Sequence, residues 1–437
     1  MRSLPLFAAL AALSACSVPG TQAPAAGELA IFSARPHPAL HVAAANSERQ
    51  QVLNGASAAA PKPPGANAQD NNVAVRVSGK DGADDALTLQ WSNAWYASMR
   101  FEGAPQDLRP YIPSGVLAFD LNVKDLSKGG LAIKVGCGKD CERQVPYMLP
   151  ARAMEGQGWR RVVLSMSCFV HEGDDFSAVT QPFALQAGGA GEVSVANVGF
   201  QASGTPNASC PDYKTVSVTP DMLNESWSLD WWRPRHEKKL EEARALKAAG
   251  KNSEVVFIGD SITQGWEKEG APVWSRHYQK YNALNLGFGG DRTENVLWRL
   301  LHGEVDGLDP KVAVLMFGTN NTGHRYEDPA LIAAGIKRNI DELQRRLPNT
   351  KILLLAIFPR DATADGPARR NNERVNAILP SFADQRKVHF VNLNAAFVGA
   401  DGVLSKDIMP DLLHPNEKGY ELWAKAMEPE LQKLLKP

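Results

Sequence analysis

The sequence predicts two folded parts of different class: an all-β antiparallel sandwich, followed by an α/β domain built on a parallel sheet. Three observations carry this. Between residues 73 and 200, short runs alternate apolar and polar residues and are broken by Gly, Asp and Pro, as in antiparallel strands joined by turns. At Arg235 to Lys251 the period changes to that of a charged helix with a narrow apolar stripe. From residue 254 onward, continuous apolar runs alternate with helical stretches, the pattern of a parallel sheet covered on both faces.

Composition limits the function. The 437 residues carry Lys+Arg 47 against Asp+Glu 48, with 44% hydrophobic and 22% charged. A protein that binds nucleic acid through phosphates would be strongly basic, so no nucleic-acid partner is expected. A disordered chain would be poorer in apolar residues. Gly 36 and Pro 29 favour many turns, and so at least one β-rich part.

In chain order, Arg2 and the short apolar run Leu4 to Leu13 have the layout of an export signal, too short to span a bilayer. The run ends in Leu13-Ser14-Ala15-Cys16, which resembles a bacterial lipobox. That resemblance implies a signal over residues 1–15, lipidation and membrane attachment at Cys16, and a lipoprotein of the bacterial cell envelope, at the outer membrane facing the periplasm or the cell surface. Residues 16–27, rich in Pro, Ala and Gly, read as a tether.

Residues 28–210 form the sandwich. Its strands are expected at Val73-Ala-Val-Arg-Val, Ala86-Leu-Thr-Leu-Gln-Trp, Val116-Leu-Ala-Phe-Asp-Leu-Asn-Val, Leu131-Ala-Ile-Lys-Val and Val162-Val-Leu-Ser-Met. Residues 211–232 read as a linker and 233–437 as the α/β domain. There the strands are expected at Glu254-Val-Val-Phe-Ile, Ala283-Leu-Asn-Leu, Lys311-Val-Ala-Val-Leu-Met-Phe, Lys351-Ile-Leu-Leu-Leu-Ala-Ile and Val388-His-Phe-Val-Asn-Leu. Ile332, Ile336, Ile340, Leu343 and Leu347 mark one face of a helix between the third and fourth. A closing helix spans Glu417 to Leu435.

Beyond Cys16, four cysteines remain, an even number suited to an oxidising compartment. Three pairings are open. The favoured one joins Cys137 to Cys141 across a Gly-containing turn and Cys168 to Cys210 at the end of the sandwich. A Cys-based zinc site is the rival, weakened by the lack of two close CxxC pairs. No metal and no cofactor is expected.

The run Cys137-Gly-Lys-Asp-Cys141, then Gly158-Trp-Arg-Arg-Val-Val-Leu-Ser-Met-Ser-Cys168, then Pro182-Phe-Ala-Leu resembles the ExoP-like, galactose-binding-like domain of some bacterial β-glucosidases. The resemblance implies a jelly roll that touches sugars or supports its partner domain. Trp91, Trp95 and Tyr96 are candidates for stacking on a sugar ring, and equally for the sandwich core.

Chemistry concentrates at strand ends, where open α/β sheets bind ligands. The first parallel strand runs into Gly259-Asp260-Ser261, which exposes a serine at the top of the sheet. The second leads to Asn285-Leu-Gly-Phe-Gly-Gly290-Asp291, where Gly290 can turn its N–H toward an oxyanion. The third ends in Gly318-Thr-Asn320, whose amide is a further donor. Asp411-Leu-Leu-His414 precedes the last helix. An aspartate at that spacing can accept from Nδ1–H and leave Nε2 to take a serine proton. Each motif alone is weak; their order is specific.

Together they resemble the SGNH, or GDSL-type, hydrolases. Phe257-Ile-Gly-Asp-Ser-Ile-Thr-Gln-Gly-Trp266, Asn285 to Leu300 and Phe317-Gly-Thr-Asn-Asn321 resemble the platelet-activating-factor acetylhydrolase branch. The resemblance implies a flavodoxin-like α/β/α three-layer fold. It also implies Ser261 as nucleophile, His414 as base and Asp411 as its orienting acid. Ser261, Gly290 and Asn320 would form the oxyanion hole, with Asp260 and Asp291 in support. The expected function is an exported serine esterase that removes short acyl groups, chiefly acetyl, from a glycan or another small ester. A carbohydrate O-acyltransferase or a lipid acylhydrolase would use the same site. A carbohydrate-binding surface lipoprotein without catalysis is the non-enzymatic alternative. Oligomeric state is not readable from the sequence.

Overall fold

The computed structural model describes residues 27–62, 72–138, 141–225 and 227–436. The expected signal and Cys16 lie outside them. No described helix is long and apolar enough to cross a membrane.

The N-terminal part is all-β, with eleven described strands paired antiparallel. Three long strands, Ala86–Gly103, Val116–Gly136 and Phe183–Gln201, lie side by side at its centre. The runs expected as separate strands at 116–123 and 131–135 belong to one strand. The polar and Gly-rich stretch between them reads as a turn. It stays extended because it pairs with Phe183–Gln201, through Gly129 opposite Gly189 and Gly130 opposite Gly188. Register shifts around Gly189 and Gly191 interrupt the ladders there, as bulges do where strands bend. One core, with Leu89, Phe101, Phe119, Phe183 and Val193 fully buried, runs under the central strands. Cys137 is bonded to Cys141 and Cys168 to Cys210. With Asp174 beside them, Cys137 and Cys141 are the described group of metal-type donors, but their sulfurs are spent on each other.

The C-terminal part has five parallel strands. In spatial order they are Leu284–Gly287, Val255–Gly259, Val312–Met316, Lys351–Leu355 and Val388–Val391. Numbered along the chain this is 2-1-3-4-5, the flavodoxin-like order. Alternate residues of the first strand serve opposite layers. Val255 and Phe257 enter a core with Trp266, Tyr278 and Trp423. Val256 and Ile258 enter another with Leu300, Ile336 and Leu343. Helix Pro329–Arg346 starts at Asp328, whose carboxylate accepts from Ala330 N at 2.7 Å, and buries Ile332, Ile336, Ile340 and Leu343. Helix Glu417–Leu435 closes the fold with Tyr420, Trp423, Met427 and Leu431 inward.

The segment read as a linker is bound to both parts. Its start is held on the sandwich by the Cys168–Cys210 bond and by Tyr213, stacked on His171 with ring centroids 3.8 Å apart. From Val216–Val218 onward it lies against the α/β domain. Ser217 is buried; its hydroxyl donates to Glu327 and its carbonyl accepts from Thr293 Oγ1 at 3.0 Å. The Asp221 carbonyl accepts from Asn295 Nδ2 at 3.0 Å. Leu223 packs with Trp232 and Phe288 in a small core of its own.

Candidate active site

The first parallel strand delivers Ser261 to the start of a short helix, Ser261–Gln264. Asp260 caps that helix, its Oδ1 accepting from Ile262 N at 3.0 Å. From below, the Tyr420 hydroxyl donates to the Ile262 carbonyl at 2.7 Å, so the closing helix fixes the turn that carries the serine. Ser261 Oγ lies 2.8 Å from His414 Nε2. His414 Nδ1 lies 2.6 Å from Asp411 Oδ2, and the His414 backbone N donates to Asp411 Oδ1 at 2.7 Å. With Nδ1 donating to the carboxylate, Nε2 is the nitrogen left to accept from the serine. Partial burial pushes the Asp411 carboxyl up. The hydrogen bonds from His414 outweigh it and hold Asp411 below its ordinary value.

Two further loops converge on the serine's side of the sheet. Gly290 follows the second strand with φ of +77°, a left-handed conformation that favours glycine. Asn320 stands at the start of helix Thr319–Arg325, after the third strand. Its Nδ2 donates to the Asp291 carbonyl at 2.9 Å, which ties it to the Gly290 loop and leaves its other N–H uncommitted. Among the described residues, the backbone N–H groups of Ser261 and Gly290 have no intramolecular acceptor. The arrangement thus presents three donors at the carboxyl ends of three adjacent strands.

Beneath these loops lies a layer of buried charge. Asp291 accepts from Trp232 Nε1 at 2.6 Å and from Arg299 Nε at 2.8 Å. The Arg299 guanidinium also donates to the Leu286 carbonyl at 3.2 Å, the Gly259 carbonyl at 3.3 Å and the Glu304 carboxylate. One cation therefore joins the ends of the first two strands to the loop of Gly290. Burial pushes Asp291 up to about 6 and Glu304 to about 7, against the pull of Arg299. Asp260 is also pushed up to about 7 by burial, and its Oδ2 has no hydrogen-bond partner.

The sandwich aromatics separate. Trp91 is 2% exposed, and its Nε1 donates to the Gly188 carbonyl at 3.0 Å. A Cβ on Gly191 would lie 2.6 Å from its ring, so the glycines here make room for a core indole and Trp91 offers no face to a sugar. Tyr96 is occupied by cations, with its hydroxyl accepting from Arg100 at 2.7 Å and Lys134 over its ring. Trp95 is 79% exposed.

Sequence reasoning missed two residues at the Gly290 loop. Trp227, from the segment read as a linker, lies against Gly290: a Cβ on that glycine would meet its ring at 2.0 Å. His324 is exposed and lies edge-on to Trp227, with ring centroids 6.4 Å apart. The one available signal was the tryptophan-rich run Trp227-Ser-Leu-Asp-Trp231-Trp232, unusual for a linker.

The sequence pattern of the GDSL-like Lipase/Acylhydrolase family matches residues 257–422, and that of the galactose-binding domain-like family matches residues 51–200. Platelet-activating factor acetylhydrolase IB subunit alpha1 from Bos taurus is 34% identical over 205 residues, 47% of this chain and 84% of that protein. The alpha2 subunit from Rattus norvegicus is 33% identical over 220 residues, 50% of this chain and 91% of its own length. The extra C-terminal domain of the exo-1,3/1,4-beta-glucanase ExoP from a Pseudoalteromonas species aligns in structure with a TM-score of 0.33 and 13% identity, over 41% of this chain and 96% of that domain.

Proposed function

Because the chain belongs to the GDSL-like lipase/acylhydrolase family, and so to the ester-hydrolysing enzymes, we propose that it removes short acyl groups, chiefly acetyl, from a carbohydrate. The observation that carries this reading is the unbroken hydrogen-bond chain from Asp411 through His414 to Ser261, set beside three N–H donors. The relatives are named as acetylhydrolases, which supports acetyl as the acyl group. The galactose-binding-like domain supports a sugar as the alcohol.

In this reaction Ser261 Oγ attacks the ester carbonyl carbon while His414 Nε2 takes its proton. Negative charge develops on the carbonyl oxygen and is received by the N–H groups of Ser261 and Gly290 and the Asn320 amide. As the C–O bond to the sugar breaks, Nε2 returns the proton to the leaving oxygen. An acetyl group then remains on Ser261. Water, deprotonated by the same nitrogen, attacks it through a second oxyanion; the bond to Ser261 Oγ breaks, Nε2 returns the proton to that oxygen, and acetate leaves. Asp411 stays ionised throughout and supports the imidazolium.

The test is acetate release from a panel of acetylated glycans, with Ser261→Ala as the control. Release by the wild type and none by the variant, with unchanged melting, is the expected result. Equal release by both would remove Ser261 from the reaction. The same proposal has the chain exported and lipidated at Cys16. Cys16→Ala should then leave the membrane fraction.

A further inference from the structure

Trp227 lies on Gly290 and His324 stands at the edge of Trp227, and neither takes part in the chemistry just described. Trp227 is 39% exposed. It is stacked on Trp231, with ring centroids 6.3 Å apart and planes at 26°, and Trp231 Nε1 donates to the Trp227 carbonyl at 2.7 Å. The ring is therefore held in place while solvent still reaches the residue.

His324 is fixed as well. Arg292 Nη1 donates to its Nδ1 at 3.0 Å. A guanidinium has no acceptor, so Nδ1 must carry the lone pair and Nε2 the proton. Crowding by protein and the positive charge of Arg292 push the imidazole's pKa down, although solvent reaches part of the ring. Arg292 is itself held by Glu225 at 3.0 Å and Glu294 at 2.8 Å. His324 is thus a neutral imidazole with a committed N–H donor at the edge of an indole.

We propose that Trp227 and His324 form the platform for the sugar ring of the acylated glycan, Trp227 against its C–H face and His324 Nε2 donating to a ring hydroxyl. The proposal rests on the esterase reading above and names the residues that select its alcohol. A flat apolar face with a polar donor at its edge suits a pyranose, which has C–H faces and a hydroxyl rim. An alkyl chain would need largely apolar surroundings, whereas this indole has the polar edge of His324 beside it.

The experiment compares kcat/KM of the full chain for an acetylated xylo-oligosaccharide, ethyl acetate and methyl decanoate, in wild type, Trp227→Ala, Trp227→Phe and His324→Ala. In Trp227→Ala the ratio of oligosaccharide to ethyl acetate should fall about tenfold or more, and Trp227→Phe should recover most of it by restoring a flat face. His324→Ala should lower the same ratio. If the two substrates fall in parallel in both alanine variants, the residues only shape the Gly290 loop and the platform is overturned. Selective loss of methyl decanoate would assign the face to an alkyl chain and overturn it too. A wild type that hydrolyses ethyl acetate with no preference for the oligosaccharide overturns the platform and leaves the esterase. Hydrolysis of none of the three removes the esterase reading and the platform with it. Should Trp227→Ala melt early, His324→Ala still decides the matter, because it too should lower the ratio of oligosaccharide to ethyl acetate.

Discussion

Asp411 holds His414 at two points. One carboxylate oxygen takes the ring Nδ1–H at 2.6 Å and the other takes the backbone N–H at 2.7 Å. Two anchors fix the tilt of the ring as well as its tautomer. Asp411→Asn keeps the shape but presents an amide N–H where an acceptor is needed. It should lower kcat by roughly 10²- to 10⁴-fold with little change in KM. The side chain of Asp411 is 55% exposed, so water can replace part of the lost contact and the lower end of that range is expected. A loss under threefold in steady-state assays would show that His414 needs no orienting acid.

Asn320 is predicted to act on the transition state and not on binding. Its amide is tied to the Asp291 carbonyl and offers a second N–H. Asn320→Ala should lower kcat by roughly 10²- to 10³-fold and leave KM within a factor of about three. A rise in KM at constant kcat would instead make it a ground-state contact.

The motifs that carry Ser261, Gly290 and Asn320 were legible because each sits at the end of a buried strand, where an apolar run stops abruptly at Gly, Asp or Asn, and the Asp411–His414 pair because its spacing stands just ahead of the closing helix. The sheet was legible for the same reason: Val255–Gly259 and Val312–Met316 are buried at every position and read as unbroken apolar runs. Trp227 was not legible, because the chain around it has no period and is positioned by tertiary contacts of Ser217 and Leu223. Nor were the faces of Trp91 and Trp95. Four residues apart in a regular strand, they would share a face. Asn93, at φ of +45°, breaks the alternation between them, so one is in the core and the other in solvent.

Asp260 should make stability depend on pH. Its carboxyl is raised by burial from an ordinary value near 3.8 to about 7 in the folded chain. Between those values the folded state holds a proton that the unfolded state has lost, so stability falls as pH rises through that window. Asp291 and Glu304 are raised in the same sense. Asp260→Asn cannot ionise and should flatten the profile. Its melting temperature relative to wild type should be higher at pH 8 than at pH 5. A constant difference across that range would mean that Asp260 does not hold the proton.

Arg299 is predicted to be structural. It is fully buried and joins Asp291, Glu304 and the carbonyls of Gly259 and Leu286. Arg299→Met leaves two buried carboxyls without their cation and should cost about 3–5 kcal/mol in urea unfolding. A cost under about 1 kcal/mol would show that the carboxyls are neutral and need no partner.

The path of residues 211–232 bears on how such a protein can be taken apart or recombined. Excision at residue 233 would strip the catalytic half of Ser217, Asp221, Leu223 and Trp227. Glu327, Thr293 and Asn295 would lose partners, and Gly290 would lose the ring that lies on it. The exchangeable unit therefore begins at about residue 216, well ahead of the family pattern's first residue at 257. Only a few positions before it stands Cys210, disulfide-bonded to the other half. A chimera that keeps this enzyme but replaces its β domain inherits a cut with almost no slack.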